Sequence, residues 1–134
     1  MRRARRTVPL LSLVALVLVA AGCSSSDPET PAPAACAESP AGPIAAEQAA
    51  RCTYQGWITN NIVLLSAYAA PGATDDLPTV GDDPRMTFDG CDASAADGES
   101  VCTWSGTFAN GPTELRLHVT GDDAAGYRVT GAEL

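Results

Sequence analysis

The spacing of apolar residues changes near Pro84, and this change limits the folds that the chain can adopt. Between residues 44 and 58, apolar side chains fall on one stripe of a helix. The positions in this stripe are Ala50, Tyr54, Trp57 and Ile58. Beyond Pro84 apolar and polar residues alternate, which is typical of strands with one buried face. Because the helical segments precede the strands instead of alternating with them, the sequence predicts an α+β domain.

A second, shorter helix is predicted after the first. Asn60 and Asn61 offer a break and an N-cap, and the helical spacing then continues until Pro71-Gly72. The residues that carry this spacing are Ile62, Leu65, Ser66 and Ala69. One further helical turn is predicted at residues 75–77, within a stretch that is otherwise loop.

Four strands are predicted in the second half of the chain. The alternating segments are residues 86–88, 101–104, 114–119 and 127–130. The connections at 93–98, 109–111 and 121–123 are short and rich in turn-forming residues. Consecutive strands are therefore expected to pair as an antiparallel meander.

The first 22 residues have the organisation of a bacterial export signal. Four arginines within residues 2–6 precede an uncharged stretch, whose apolar part covers residues 8–21. Crossing a bilayer takes about 20 apolar residues, so this shorter segment is predicted to be a signal peptide and not a membrane span.

The segment Val19-Ala20-Ala21-Gly22-Cys23 resembles the lipobox of bacterial lipoproteins. The resemblance implies cleavage before Cys23 and diacylation of its sulfur. Residues 1–22 would then be the signal peptide, residues 23–35 a lipidated cysteine with a polar, proline-rich tether, and residues 36–134 a single domain. The alternative is an ordinary secretory signal, which would leave Cys23 as an odd free thiol beside four other cysteines.

Charge narrows the expected partners of the mature protein. Loss of the signal peptide leaves four arginines against 16 acidic residues, a side-chain charge of −12, and lysine is absent. Nucleic acid is not an expected partner, and neither is an anionic lipid surface, because both repel such a domain. Attachment to the extracytoplasmic face of the cell membrane would therefore depend on the lipid at Cys23.

Four segments resemble small secreted actinobacterial proteins with the nuclear transport factor 2-like, or cystatin-like, fold. They are residues 50–57 (ARCTYQGW), 64–71 (LLSAYAAP), the hairpin from 88–91 (FDGC) to 101–104 (VCTW), and 126–130 (GYRVT). The resemblance spans about residues 45–134. It implies N-terminal helices packed on a curved four-stranded antiparallel sheet, a cone-like shape with a pocket that serves catalysis or ligand or protein contacts in different members.

Four cysteines allow three disulfide pairings, and spacing favours two bridges, Cys91–Cys102 and Cys36–Cys52. Strict alternation would place Cys91 and Phe88 on opposite faces of their strand while Cys102 and Trp104 share one. Either Trp104 lies on the far face, or a bulge at Gly90 shifts the register, and we favour the bulge. A zinc site is the alternative use of these four cysteines, but the sequence has no Cys-x-x-Cys pair and no histidine near them.

The sequence predicts no catalytic residue, no metal site and no cofactor. His118, the single histidine, alternates with Glu114 and Arg116 on the predicted solvent face. The aspartate pairs at 75–76, 82–83 and 122–123 are interpreted as solvated turn residues, with calcium ligation as the alternative. Residues 89–99 do not match the spaced EF-hand loop, and no other calcium motif is present in the sequence.

Six aromatic residues are predicted to lie between the helices and the sheet, as core or as the wall of an apolar pocket. They are Tyr54, Trp57, Tyr68, Phe88, Trp104 and Tyr127. The leading hypothesis is a non-enzymatic envelope module that binds a peptide, an envelope protein or a small ligand. The alternatives are an enzyme of the same superfamily that uses His118 or Asp89, and an accessory lipoprotein that modulates a membrane partner.

Overall fold

The computed structural model describes residues 35–80, 86–93, 98–108 and 110–134. The expected signal peptide, the lipidation site at Cys23, most of the tether and the aspartates at 82–83 lie outside the described residues. The helices are α1 (Ala46–Ile58) and α2 (Ile62–Tyr68), and the strands are β1 (Met86–Ala93), β2 (Glu99–Phe108), β3 (Gly111–Asp122) and β4 (Gly126–Glu133). No helix in this part of the chain is long and apolar enough to cross a membrane.

The four strands form one antiparallel sheet in the order β1-β2-β3-β4, which confirms the α+β class and the meander. All four strands extend beyond the predicted segments. Two disulfides join Cys36 to Cys52 and Cys91 to Cys102, the pairing that spacing favours. The helical turn predicted at residues 75–77 is absent, because residues 71–76 form successive turns.

Helix α1 buries the side predicted from its spacing, with Ala50 and Trp57 in the core. The backbone reverses at Asn60, whose φ of 53° lies in the left-handed region that Asn tolerates better than most residues. Gly56 then allows α2 to pack closely, because a Cβ at this position would lie 3.0 Å from Cδ2 of Leu65.

Helix α2 buries a different face from the predicted one. Leu64 and Tyr68 are its buried residues, four positions apart, whereas Ile62 is 75% exposed. The helix ends at Tyr68, earlier than predicted, because Ala69 forms a parallel bridge with Val129 of β4. Within the predicted stripe, Ile62 and Ser66 thus face solvent, whereas Leu65 is partly buried and Ala69 is buried.

The side chain of Asn61 caps α2. Its Oδ1 accepts hydrogen bonds from the N–H groups of Val63 and Leu64, at 3.0 and 3.2 Å. Asn61→Ala should lower the free energy of unfolding by about 1 kcal/mol, because both N–H groups lose their partner. Asn61→Asp, which retains a capping oxygen, is the matched control in urea denaturation, and equal losses in both variants would contradict this role.

The expected bulge is present on β1. The register of β1 against β2 shifts between Phe88 and Gly90, and Gly90 has a φ of 128°. The extra residue returns Cys91 to the same face as Phe88, so Phe88 pairs with Trp104 and Cys91 pairs with Cys102. The conflict in strict alternation is therefore resolved by the bulge, with Trp104 on the core face.

Strand β3 has the predicted alternation of buried and solvated residues. Leu115, Leu117 and Val119 are fully buried, whereas Glu114 and Arg116 are exposed on the other face. Glu114 and Arg116 form an exposed ion pair.

Asp122 and Asp123 occupy the turn after β3. Oδ1 of Asp122 accepts hydrogen bonds from the N–H groups of Ala124 and Ala125, as turn aspartates commonly do. Partial burial, together with the charge of Asp123 and its hydrogen bond, raises the pKa of Tyr127.

The raised pKa of Tyr127 predicts a loss of stability in alkali. A phenol with a higher pKa in the folded state stabilises the fold below about pH 10, and this contribution disappears as the pH rises through the folded-state pKa. Asp123→Asn should lower the pKa of Tyr127. Phenolate absorbance titrations, with Tyr127→Phe identifying the signal, test this; an unchanged midpoint in Asp123→Asn would contradict it.

Candidate functional site

A surface groove of about 440 Å³ lies between α1 and β1, and we call it the aromatic groove. The beginning of the described chain, at Ala35 and Cys36, borders it. The main side chains in its walls are Arg51, Tyr54, Gln55, Ile58, Met86, Phe88 and Trp104.

The position of the aromatic groove follows from the local structure of its walls. Tyr54 and Ile58 are four positions apart, so they lie on one face of α1. Met86 and Phe88 are two positions apart and point to one face of β1. Helix α1 lies closer to β3 and β4 than to β1, so this face of β1 remains open.

Three aromatic rings form the floor of the groove. Tyr54 stacks on Trp104, with centroids 5.0 Å apart and planes 12° apart, and Phe88 tilts against Trp104 at 4.8 Å. Trp104 is 2% exposed, whereas Tyr54 and Phe88 are half-buried. The buried indole therefore fixes two rings that present apolar surface to solvent.

Arg51 supplies a polar wall to the groove. Its Cζ lies 3.8 Å from the centroid of Phe88, which is a cation–π contact. Its Nε donates a hydrogen bond of 2.6 Å to Oε1 of Glu47, one helical turn earlier. The guanidinium thus covers one side of Phe88 while Glu47 balances its charge.

The other three predicted aromatic residues do not line this groove. Trp57 and Tyr68 are buried, and each uses its polar atom within the fold. Nε1 of Trp57 donates to the carbonyl of Pro78, and the hydroxyl of Tyr68 donates to the carbonyl of Ala37, both at 2.9 Å. Tyr127 lies at the start of β4.

His118 lies on the face of the sheet opposite the core, between two carboxylates. Its Nδ1 is 3.0 Å from Oε1 of Glu99, and its Nε2 is 3.6 Å from Oε1 of Glu133. The ring packs against Gly131, where a Cβ would lie 3.7 Å from the Cβ of His118. Glu99 is placed to orient the imidazole, as the carboxylate of a catalytic triad does. The other ring nitrogen of His118, however, faces the carboxylate of Glu133 and not a nucleophile.

Asp89 also lies outside the aromatic groove. It is exposed and accepts a hydrogen bond of 3.2 Å from the hydroxyl of Ser105. Among the described residues, no three histidine, cysteine, aspartate or glutamate side chains are grouped so that they could hold a metal ion.

Sequence reasoning did not identify Arg51, Gln55, Ile58 or Met86 as groove residues. Arg51 and Ile58 lie three positions before and four positions after Tyr54, on one face of α1, and Met86 alternates with Phe88. These three therefore had a positional signal, whereas Gln55 had none. That signal gains meaning only when the open face of β1 is known.

Comparisons with protein-family models, with curated proteins and with solved structures found no match to this chain.

Proposed function

We propose that this protein is a lipid-anchored, extracytoplasmic module that binds a ligand or protein through the aromatic groove. The groove is the observation that carries the proposal, because Tyr54 and Phe88 expose apolar ring surface on a rigid, buried support. The export signal and the lipobox-like segment ending at Cys23 support the location. Disulfides also suit an oxidising compartment outside the cytoplasm.

The same proposal includes a cone-like arrangement resembling nuclear transport factor 2-like proteins. Contacts between helical segments and strands support it, such as Tyr54 with Trp104 and the hydrogen bond of 2.7 Å from the Ala70 N–H to the Val129 carbonyl. In this arrangement the aromatic groove lies at the open side of the cone. Its aromatic floor and charge-balanced Arg51 favour binding over catalysis.

A second candidate function is an accessory role in which α2 contacts a membrane protein. The exposed apolar side chains of Ile62 (75%) and Val63 (47%) favour it, because they begin a helix whose other face is buried. Such a contact would use a surface distinct from the aromatic groove.

Site-specific photocrosslinking separates these functions. A photoreactive residue is placed in the full chain at Gln55 for the groove, at Val63 for α2, or at the exposed Thr130 on β4, at the opposite edge of the sheet, as a control. The groove proposal predicts one specific adduct from Gln55 in the native cells, absent from Thr130 and reduced by Phe88→Ala. An adduct from Val63 alone would support the accessory function, and identical adducts at all three positions would contradict both.

A further inference from the structure

Strand β1 forms an edge of the sheet. It pairs with β2 on one side, and among the described residues no strand pairs with its other side. An edge strand presents unpaired N–H and C=O groups that can pair with another chain. The register of β1 against β2 decides which residues of β1 point their N–H and C=O groups toward this free side.

The register places the free backbone groups next to the aromatic groove. Cys91 and Cys102 are 3.9 Å apart at Cα, which is nearer to the spacing of a non-hydrogen-bonded antiparallel pair, about 4.5 Å, than to the spacing of about 5.5 Å in a hydrogen-bonded pair. Such pairs recur at every second residue of β2, so Phe88 opposite Trp104 and Met86 opposite Gly106 belong to the same class. The N–H and C=O groups of Met86 and Phe88 therefore point away from β2, while their side chains line the groove.

The groove thus lies between a helix and the free edge of a strand. An extended peptide can add to such an edge through main-chain hydrogen bonds while alternate side chains enter the groove. Because the bulge at Asp89 bends the strand, regular pairing is expected along residues 86–88.

The outer face beside this edge is acidic. Asp89 and Asp92 are exposed on β1, and Glu114 lies with them around a shallow depression of about 320 Å³. Arg116 in the same depression forms an ion pair with Glu114 at 2.6 Å. Basic side chains on the outward face of an added strand would therefore meet carboxylates, and the net charge of the mature chain favours a cationic partner.

We propose that the aromatic groove and the β1 edge bind an extended cationic peptide segment as a fifth strand, with apolar side chains inward and basic side chains outward. This inference rests on the proposed function and names its partner class. The free edge at Met86 and Phe88, the open groove beside it and the acidic outer face carry it together.

The test titrates the full, disulfide-bonded chain with a capped eight-residue peptide in which Val or Phe alternates with Arg or Lys. A peptide of the same composition with its apolar and basic residues in separate blocks, and an alternating peptide N-methylated at every second residue, are the controls. We expect binding at micromolar concentrations that is at least tenfold weaker for each control. The amide protons of Met86 and Phe88 should exchange at least tenfold more slowly in the complex, while that of Thr87, which already faces β2, should not change.

A charge variant gives a second readout. Asp92→Asn should weaken binding of the alternating peptide severalfold. Asp75→Asn, which makes the same charge change in the turn after α2, should leave binding unchanged. Equal binding of the alternating and block peptides, or unchanged exchange at Met86 and Phe88, would overturn the strand-addition proposal. Groove-specific crosslinking from Gln55 combined with no peptide binding would overturn this inference and leave the proposed function standing.

Discussion

Replacing Trp104 with alanine is expected to lower the free energy of unfolding by about 3–5 kcal/mol. The indole is 2% exposed and contacts the rings of both Tyr54 and Phe88. Its removal leaves a cavity under these rings and also removes the aromatic contacts between β2 and α1. Since a domain of this size is stable by only about 5–15 kcal/mol, this change should be among the most damaging single substitutions.

Urea denaturation followed by far-ultraviolet circular dichroism measures this effect without depending on indole fluorescence. Trp104→Phe is the matched control, because it retains a ring on the core face and should lose clearly less. If Trp104→Ala unfolds at nearly the same urea concentration as the wild type, the aromatic floor does not support the fold as described.

Removing the disulfide between Cys36 and Cys52 is expected to cost about 3 kcal/mol. The bridge closes a loop with a sequence separation of 16 and attaches the segment before α1 to the helix. Without the bridge, the unfolded chain gains conformational entropy, which stabilises the unfolded state by about 3 kcal/mol. Cys52 is fully buried, so the double substitution Cys36→Ala and Cys52→Ala avoids placing an unpaired polar group in the core.

Chemical denaturation of this double variant, with and without reductant, provides the test. Reductant should destabilise the wild type more than it destabilises the variant, which has only the Cys91–Cys102 bridge left to lose. A loss below about 1 kcal/mol would show that the loop is held by packing and not by the bridge.

The sequence predicted the fold well where one local signal dominates. The period of two and the short turns identified the meander. The cysteine and aromatic positions conflicted with strict alternation, and of the two explanations the favoured one, a bulge at Gly90, is confirmed. Asn61 was recognisable as a cap because a polar break stood before an apolar helical segment.

The orientation of α2 was not predictable from spacing alone. Two apolar faces compete along this short helix. The fold buries Leu64 and Tyr68, while Leu65 and Ala69 of the other face approach Gly56 and Val129. Tertiary contacts of this kind leave no periodic signal in the sequence.

The candidate site was only partly predictable for a related reason. Aromatic composition indicated the space between helices and sheet, but six aromatic residues could not be divided into core and wall from the sequence. Trp57 and Tyr68 satisfy their polar atoms on the carbonyls of Pro78 and Ala37, which lie 21 and 31 residues away along the chain. Tyr54 and Phe88 reach the groove because α1 packs mainly against β3 and β4, a property of the assembled fold.

Intact-mass spectrometry of the protein isolated from its native membrane, before and after reduction, tests the proposed lipid anchor. We expect a chain that begins at Cys23, carries the mass of a diacylglyceryl or triacyl group, and gains the mass of four hydrogens when both disulfides are reduced. A chain with an unmodified Cys23 thiol would contradict the anchor and leave a freely secreted domain.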